Sequence, residues 1–194
     1  MNRLITTTFL LLLSIIGYSQ TIENYLQTER TIKFDNKNYD LVWSSHPNEN
    51  YYKQEYLTNG QNLEKFKSMI LIDFLNGDFS VNDAVNAKIQ ELENAKKSNP
   101  IINYIILEKD GETIIDFLIS ANSEDGKELL IVERNVYRYK KIKTKKTNGI
   151  LVFAVSERAY DNDINDFFKE LNKNKNSLII KVGNLEIPEI NPKK

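Results

Sequence analysis

The sequence predicts an α+β fold, with a mainly antiparallel β-sheet packed against two to three helices in a single domain. Three observations lead there. Runs of β-branched and aromatic residues alternate with polar ones and are separated by tight-turn signals. Helical spacing is confined to a few segments, so strands and helices come in blocks rather than in strict alternation. The connections between successive strands are too short for the crossovers that parallel pairing requires.

In chain order, Thr31 to Phe34 is a short strand and Asp35-Asn36-Lys37-Asn38 a turn. Tyr39, Leu41 and Trp43 then alternate with polar or smaller residues in a strand that His46-Pro47-Asn48-Glu49-Asn50 breaks. Tyr51 to Leu57 is the next strand, ended by Thr58-Asn59-Gly60, and this opening forms a meander. Leu63, Phe66 and Ile70 share one helical stripe, which places a helix from about Asn62. Met69 to Leu75 fits helix or strand equally well, because so short an apolar run has no decisive period. Ser80, with Asp83 three residues later, caps a helix whose inner stripe is Val81, Val85, Ile89 and Leu92. Lys88, Glu91, Glu93 and Lys96 face solvent, and Asn99-Pro100 ends the helix.

Ile101 to Glu108 is apolar on both faces apart from Asn103, the pattern of a central strand. Asp110-Gly111 turns the chain into Thr113 to Ser120. A long hairpin follows, from Glu128 to Ala159, turning at Asn148-Gly149. Asp161 or Asn162 caps a last helix carrying Ile164, Phe167, Phe168 and Leu171. Leu178 to Val182 is a closing strand, and residues 184–194 form a loose tail.

The N-terminus carries Arg3, an apolar run from Phe9 to Ile16, and then Gly17-Tyr18-Ser19 before Gln20. That order is a signal peptide spanning residues 1–19, and it directs the chain to the periplasm or outside. The domain then covers residues 20–183. Without cysteine there is no disulfide, no lipidation site and no thiol chemistry. Removing Arg3 leaves 25 basic and 27 acidic residues. This near-neutral balance argues against a nucleic-acid partner, and no transmembrane segment is expected in the mature chain.

Motifs for chemistry are sparse, and no cofactor is implied. His46, the single histidine, has Ser44 and Ser45 beside it but no relay partner or nucleophile elbow, and reads as a loop residue. Asp161 to Asp166 begins like a calcium loop. Its sixth position is Asp166 where glycine is needed, and its twelfth is Asn172 where a bidentate glutamate is needed. Helix capping explains the same residues. One local charge excess stands out: Arg138, Lys140, Lys141, Lys143, Lys145 and Lys146 lie within nine residues, with no acid among them. They form either a contact for an anionic surface or a charged hairpin end that keeps a sheet edge from pairing.

The leader ending in Gly17-Tyr18-Ser19 resembles those of exported Gram-negative bacterial proteins. The order of the mature elements resembles the PsbP-like α/β/α sandwich: early strands, a helix after a Tyr-rich strand, a run of antiparallel strands, and a C-terminal helix with a closing strand. That resemblance implies partner binding rather than catalysis. The expected function is thus an exported, non-enzymatic binding or interaction domain, meeting a protein or an anionic surface. The alternatives are a small periplasmic carboxylate-dependent hydrolase, or a carrier of an apolar ligand held by the tyrosines and Trp43.

Overall fold

Two four-stranded meanders, joined along their last strands, make up one antiparallel sheet in a computed structural model that describes residues 22–144 and 147–193. The segment read as a signal peptide, with Lys145 and Lys146, lies outside the described residues. The first meander comprises β1 (Thr31–Phe34), β2 (Lys37–Asn48), β3 (Tyr51–Leu57) and β4 (Ser68–Asn76). After helix α1 (Val81–Lys96) the second follows, with β5 (Asn103–Lys109), β6 (Glu112–Asn122), β7 (Leu129–Lys143) and β8 (Asn148–Tyr160). A 3-10 turn, Asp161–Asp163, leads into α2 (Ile164–Lys173) and α3 (Ser177–Asn184). The strand order is β1-β2-β3-β4-β8-β7-β6-β5, so β4 and β8 are the seam and β1 and β5 the two edges. This is the α+β single-domain architecture expected from the sequence.

The period-2 alternation of strand side chains divides the core into two layers. One face of the sheet carries Tyr52, Tyr56, Ile70, Ile72, Phe74, Val136, Leu151, Phe153 and Val155, packed against Leu178, Ile179 and Val182 of α3. The other face packs Ile115, Phe117, Tyr139 and Ile150 against Val85 and Leu92 of α1. Beside α1, the 58–67 loop lays Phe66 over Leu57, Met69, Leu71 and Ala154. Ser80 and Asp83 form the expected capping box, each side chain bonding the other's backbone N–H. Lys88 is half-buried rather than turned to solvent, its Nζ 5.5 Å from the Tyr137 ring centre.

Five expectations are corrected. No helix begins near Asn62, because Gln61 and Asn62 use their side chains to fold a loop. Asn62 Oδ1 accepts from the Lys65 N–H at 2.8 Å and Gln61 Oε1 from the Lys67 N–H at 2.5 Å. The ambiguous segment that follows is strand β4. His46-Pro47 does not break β2, since that end of the strand has β3 on one side only and absorbs the proline in an irregularity between Ser45 and Asn48. Asn148-Gly149 is not the hairpin turn: both residues belong to β8, where Asn148 pairs with Lys143 and Gly149 with Ile142. Gly149 is small for another reason, since a Cβ there would lie 2.3 Å from the Leu75 carbonyl oxygen. Leu178 to Val182 is helix α3 rather than a strand, burying Leu178, Ile179 and Val182 on one side. Finally, Asp161 opens the 3-10 turn, and neither it nor Asn162 caps α2 with its side chain.

Residues 185–193 contain no helix or strand, but they return across the sheet end. The Asn191 and Lys193 N–H groups donate to the Leu26 and Tyr25 carbonyls, each at 2.8 Å. Ile187 and Ile190 rest against the α3-side core. Among the described residues, no helix is long and apolar enough to cross a membrane.

Candidate interaction surface at the β5 edge

The segment read as a central strand lies at the rim of the sheet, which is the most consequential departure from the sequence expectation. Asn99 and Pro100 end α1, and the Asn99 side chain sets the entry to β5. Its Nδ2 donates to the Ser120 carbonyl at 2.8 Å, and its Oδ1 accepts from the Ile101 N–H at 3.2 Å. Ile102, buried at 3%, anchors the strand start beneath α1. At the far end Asp110 and Gly111 have φ of 53° and 78°. Two positive φ values in a two-residue connection define the tight hairpin turn that returns the chain as β6. β5 thus pairs with β6 from Asn103↔Leu118 to Lys109↔Glu112, and its other side is open.

The centre of the open strand is apolar. Ile105, Ile106 and Leu107 are 36%, 39% and 43% exposed, three consecutive residues that present apolar surface on both faces of the strand. The opposite rim differs. β1 is four residues long, buries Ile32 and Phe34, and exposes Thr31 and Lys33. A short edge with an outward lysine resists pairing with another chain, whereas a seven-residue edge with three exposed apolar residues at its centre invites it.

On the α3 side, two open grooves flank β5. One, of about 230 Å³, lies between Ile105 and Leu171 of α2. The other, of about 440 Å³, lies between Leu107 and Ile180 of α3, with Ile114 and Gly183 at its base. Ile180 is 57% exposed, the most exposed large apolar side chain of the described residues. Two arginines of β7 hold α3 beside this edge. Arg134 bonds both Asp116 carboxylate oxygens at 2.9 Å and the Lys175 carbonyl at 2.6 Å, just before α3 begins. Arg138 bonds Glu112 at 2.5 Å and the Val182 and Leu185 carbonyls at the α3 C-terminus, where a cation also complements the helix dipole.

The cation run is therefore distributed rather than gathered. Arg138 is engaged by Glu112 and α3, and Lys140 also reaches Glu112 at 3.0 Å. Lys141 donates to the Phe79 carbonyl at 2.7 Å and pairs with Asp78 at 3.4 Å. Lys143 is exposed. His46 sits on β2, stacked on Tyr52 at 4.0 Å with its Nδ1 3.0 Å from the Tyr51 carbonyl, while Ser44 donates to the Glu23 carbonyl. Of the calcium-like acids, Asp163 pairs with Lys67 and Asp166 with Lys169. Among the described residues no cluster of three or more His, Cys, Asp or Glu could hold a metal.

At the seam of the sheet one carboxyl is displaced far from its ordinary range. Burial pushes the Asp73 carboxyl up to about 6, against the opposing pull of Lys53 and the Tyr51 hydroxyl. Its Oδ1 is shielded from solvent and has no hydrogen-bond partner, because the Lys53 ammonium across the strand pair bonds Glu55 at 3.1 Å instead. Burial likewise raises Tyr51, with the Asp73 charge adding to the effect. Asp73 is four strands away from β5 and does not share its surface.

The sequence signal that could have located this site is the lack of any polar guard between Tyr104 and Glu108. That same signal suggested a central strand. Neither a curated protein nor a solved structure matches the chain. A protein-family model matches residues 26–187, and the chain belongs to that uncharacterised family.

Proposed function

We propose that this chain is an exported, non-enzymatic interaction domain that binds an extended protein segment along β5. The observation that carries the reading is the free seven-residue edge with Ile105, Ile106 and Leu107 exposed together. Strand addition at such an edge draws affinity from main-chain hydrogen bonds and specificity from the side chains on either face. The grooves at Leu171 and Ile180 supply places for a partner's alternate side chains. Export rests on the leader pattern of residues 1–19. Binding is assigned to β5 rather than to the cation run, because Arg138, Lys140 and Lys141 already have acidic partners.

The test places a photo-crosslinking residue at position 106 on β5, or at position 33 on β1, in cells that produce the protein. Protein adducts, to any partner or to the chain itself, are expected from position 106 and not from 33. Equal yields from both edges, or none from 106, would overturn the assignment.

A further inference from the structure

We infer that the segment completing β5 is the β5 strand of a second copy, paired antiparallel with Ile106 opposite Ile106. This rests on the binding-edge reading above and names its partner. The strand reads Asn103-Tyr104-Ile105-Ile106-Leu107-Glu108-Lys109, and turning it about Ile106 produces a self-complementary ladder. Ile105 meets Leu107, Tyr104 meets Glu108, and Asn103 meets Lys109, so no like charges face each other and all seven residues pair. Shifting the centre to Leu107 sets Ile106 opposite Glu108 and Ile105 opposite Lys109, and loses apolar pairs. Shifting it toward the N-terminal end runs the ladder into Ile102, which is buried under α1.

Both sides of the sheet are compatible with this register. Directly opposed residues on neighbouring antiparallel strands share a face, so the α2 and α3 layers of the two copies lie on the same side. The Leu107 end of one strand, where Ile180 projects beside β5, then adjoins the Ile105 end of the other, where the 230 Å³ groove opens against Leu171. The two-fold axis repeats that contact on its other side, as an isologous interface requires. Ile180 is thus directed toward a groove of the other copy. The β1 edges remain outermost, where Lys33 guards each end of the combined sheet.

The two-fold axis gives the proposal a specific test, because residue 106 faces itself. Sedimentation of the purified chain at about 100 μM should report twice the mass of one copy, an ordinary range for a modest interface. Ile106→Lys and Ile106→Glu should each sediment as single copies, since each sets like charges together at the axis. An equimolar mixture of the two should recover the doubled mass. Unfolding midpoints establish that both variants are folded. Should either fail to fold, Ile106→Cys serves instead. The chain has no native cysteine, and the opposed Cα atoms of such a pair, about 4.5–5.5 Å apart, suit a disulfide. Mild oxidation should link Ile106→Cys into a dimer and leave Lys33→Cys, on the other edge, unlinked.

A single-copy parent, a doubled mass retained in both charge variants, or a mixture that does not reassociate would each overturn self-pairing. So would equal disulfide yields at 106 and 33. A single-copy parent whose position 106 still crosslinks to a different protein overturns this inference alone and leaves the binding edge in place. A parent that crosslinks to nothing overturns both.

Discussion

Replacing Asp73 with asparagine should stabilise the protein near neutral pH and have little effect in acid. The folded carboxyl titrates at about 6, against 3.8 when unperturbed, and burial is the main cause. Between those values the folded state holds a proton that the unfolded chain has released. Stability therefore falls as pH rises through that window, and the loss is complete above about pH 6. At about 1.4 kcal/mol per tenfold change in acidity, the ionised carboxylate costs the fold about 3 kcal/mol at pH 7.5. Asparagine removes the charge while keeping the shape, and its amide has Glu55 and the Tyr51 hydroxyl as neighbours. Asp73→Asn should thus be more stable than the parent at pH 7.5 by up to about 3 kcal/mol, and nearly equal to it at pH 4. Chemical denaturation at both pH values measures this. A variant that is destabilised at pH 7.5, or one whose effect is the same at pH 4, would show that Asp73 is held charged by partners and that the burial argument is wrong.

Other expectations concern the elements that frame the β5 edge. Arg134→Ala leaves Asp116 buried without its cation and frees the start of α3, at a cost of about 3–5 kcal/mol in denaturant titration. The double change Arg134→Met with Asp116→Leu should recover much of that loss, because no orphaned charge remains. Gly149→Ala drives a Cβ into the Leu75 carbonyl and the Phe74 ring, and should lower stability by about 1–3 kcal/mol, read as a shifted thermal midpoint. Phe167 and Phe168 are half-buried, so Phe167→Ala and Phe168→Ala should each cost less than the roughly 3–5 kcal/mol of a fully buried ring. Ile164→Ala, at a buried position against Val132 and Ala159, should cost about 2–5 kcal/mol in the same melts.

Local pattern was informative wherever one face of an element is buried and the other wet. β3, the capping box of α1 and the long β7–β8 pair follow directly from alternation or spacing. It failed where an element is apolar all round. Ser177 to Asn184 carries four aliphatic residues within five positions, and only packing against the sheet makes it a helix rather than a strand. Asn103 to Lys109 failed in the converse way, since apolar residues on both faces describe a buried central strand and an unguarded edge equally well. Strand order, which no local pattern encodes, decides between them. The same limit applies to Arg138. Within its own stretch it is one of six cations, whereas its carbonyl partners in α3 and beyond lie 44 and 47 residues away. Gly149 fits a turn signal in sequence, yet it is the close approach of β4 that requires a glycine there.

The central claim is that β5 has one bonded side and one side awaiting another strand, and residue-resolved amide hydrogen exchange over Asn103–Lys109 tests it most directly. In an antiparallel edge strand only alternate N–H groups point toward the neighbour. In dilute solution, protection should therefore alternate along β5, and the unprotected set should become protected as concentration is raised or a bound strand is added. Uniform protection in dilute solution, or an alternating pattern that no concentration and no partner fills, would contradict the account.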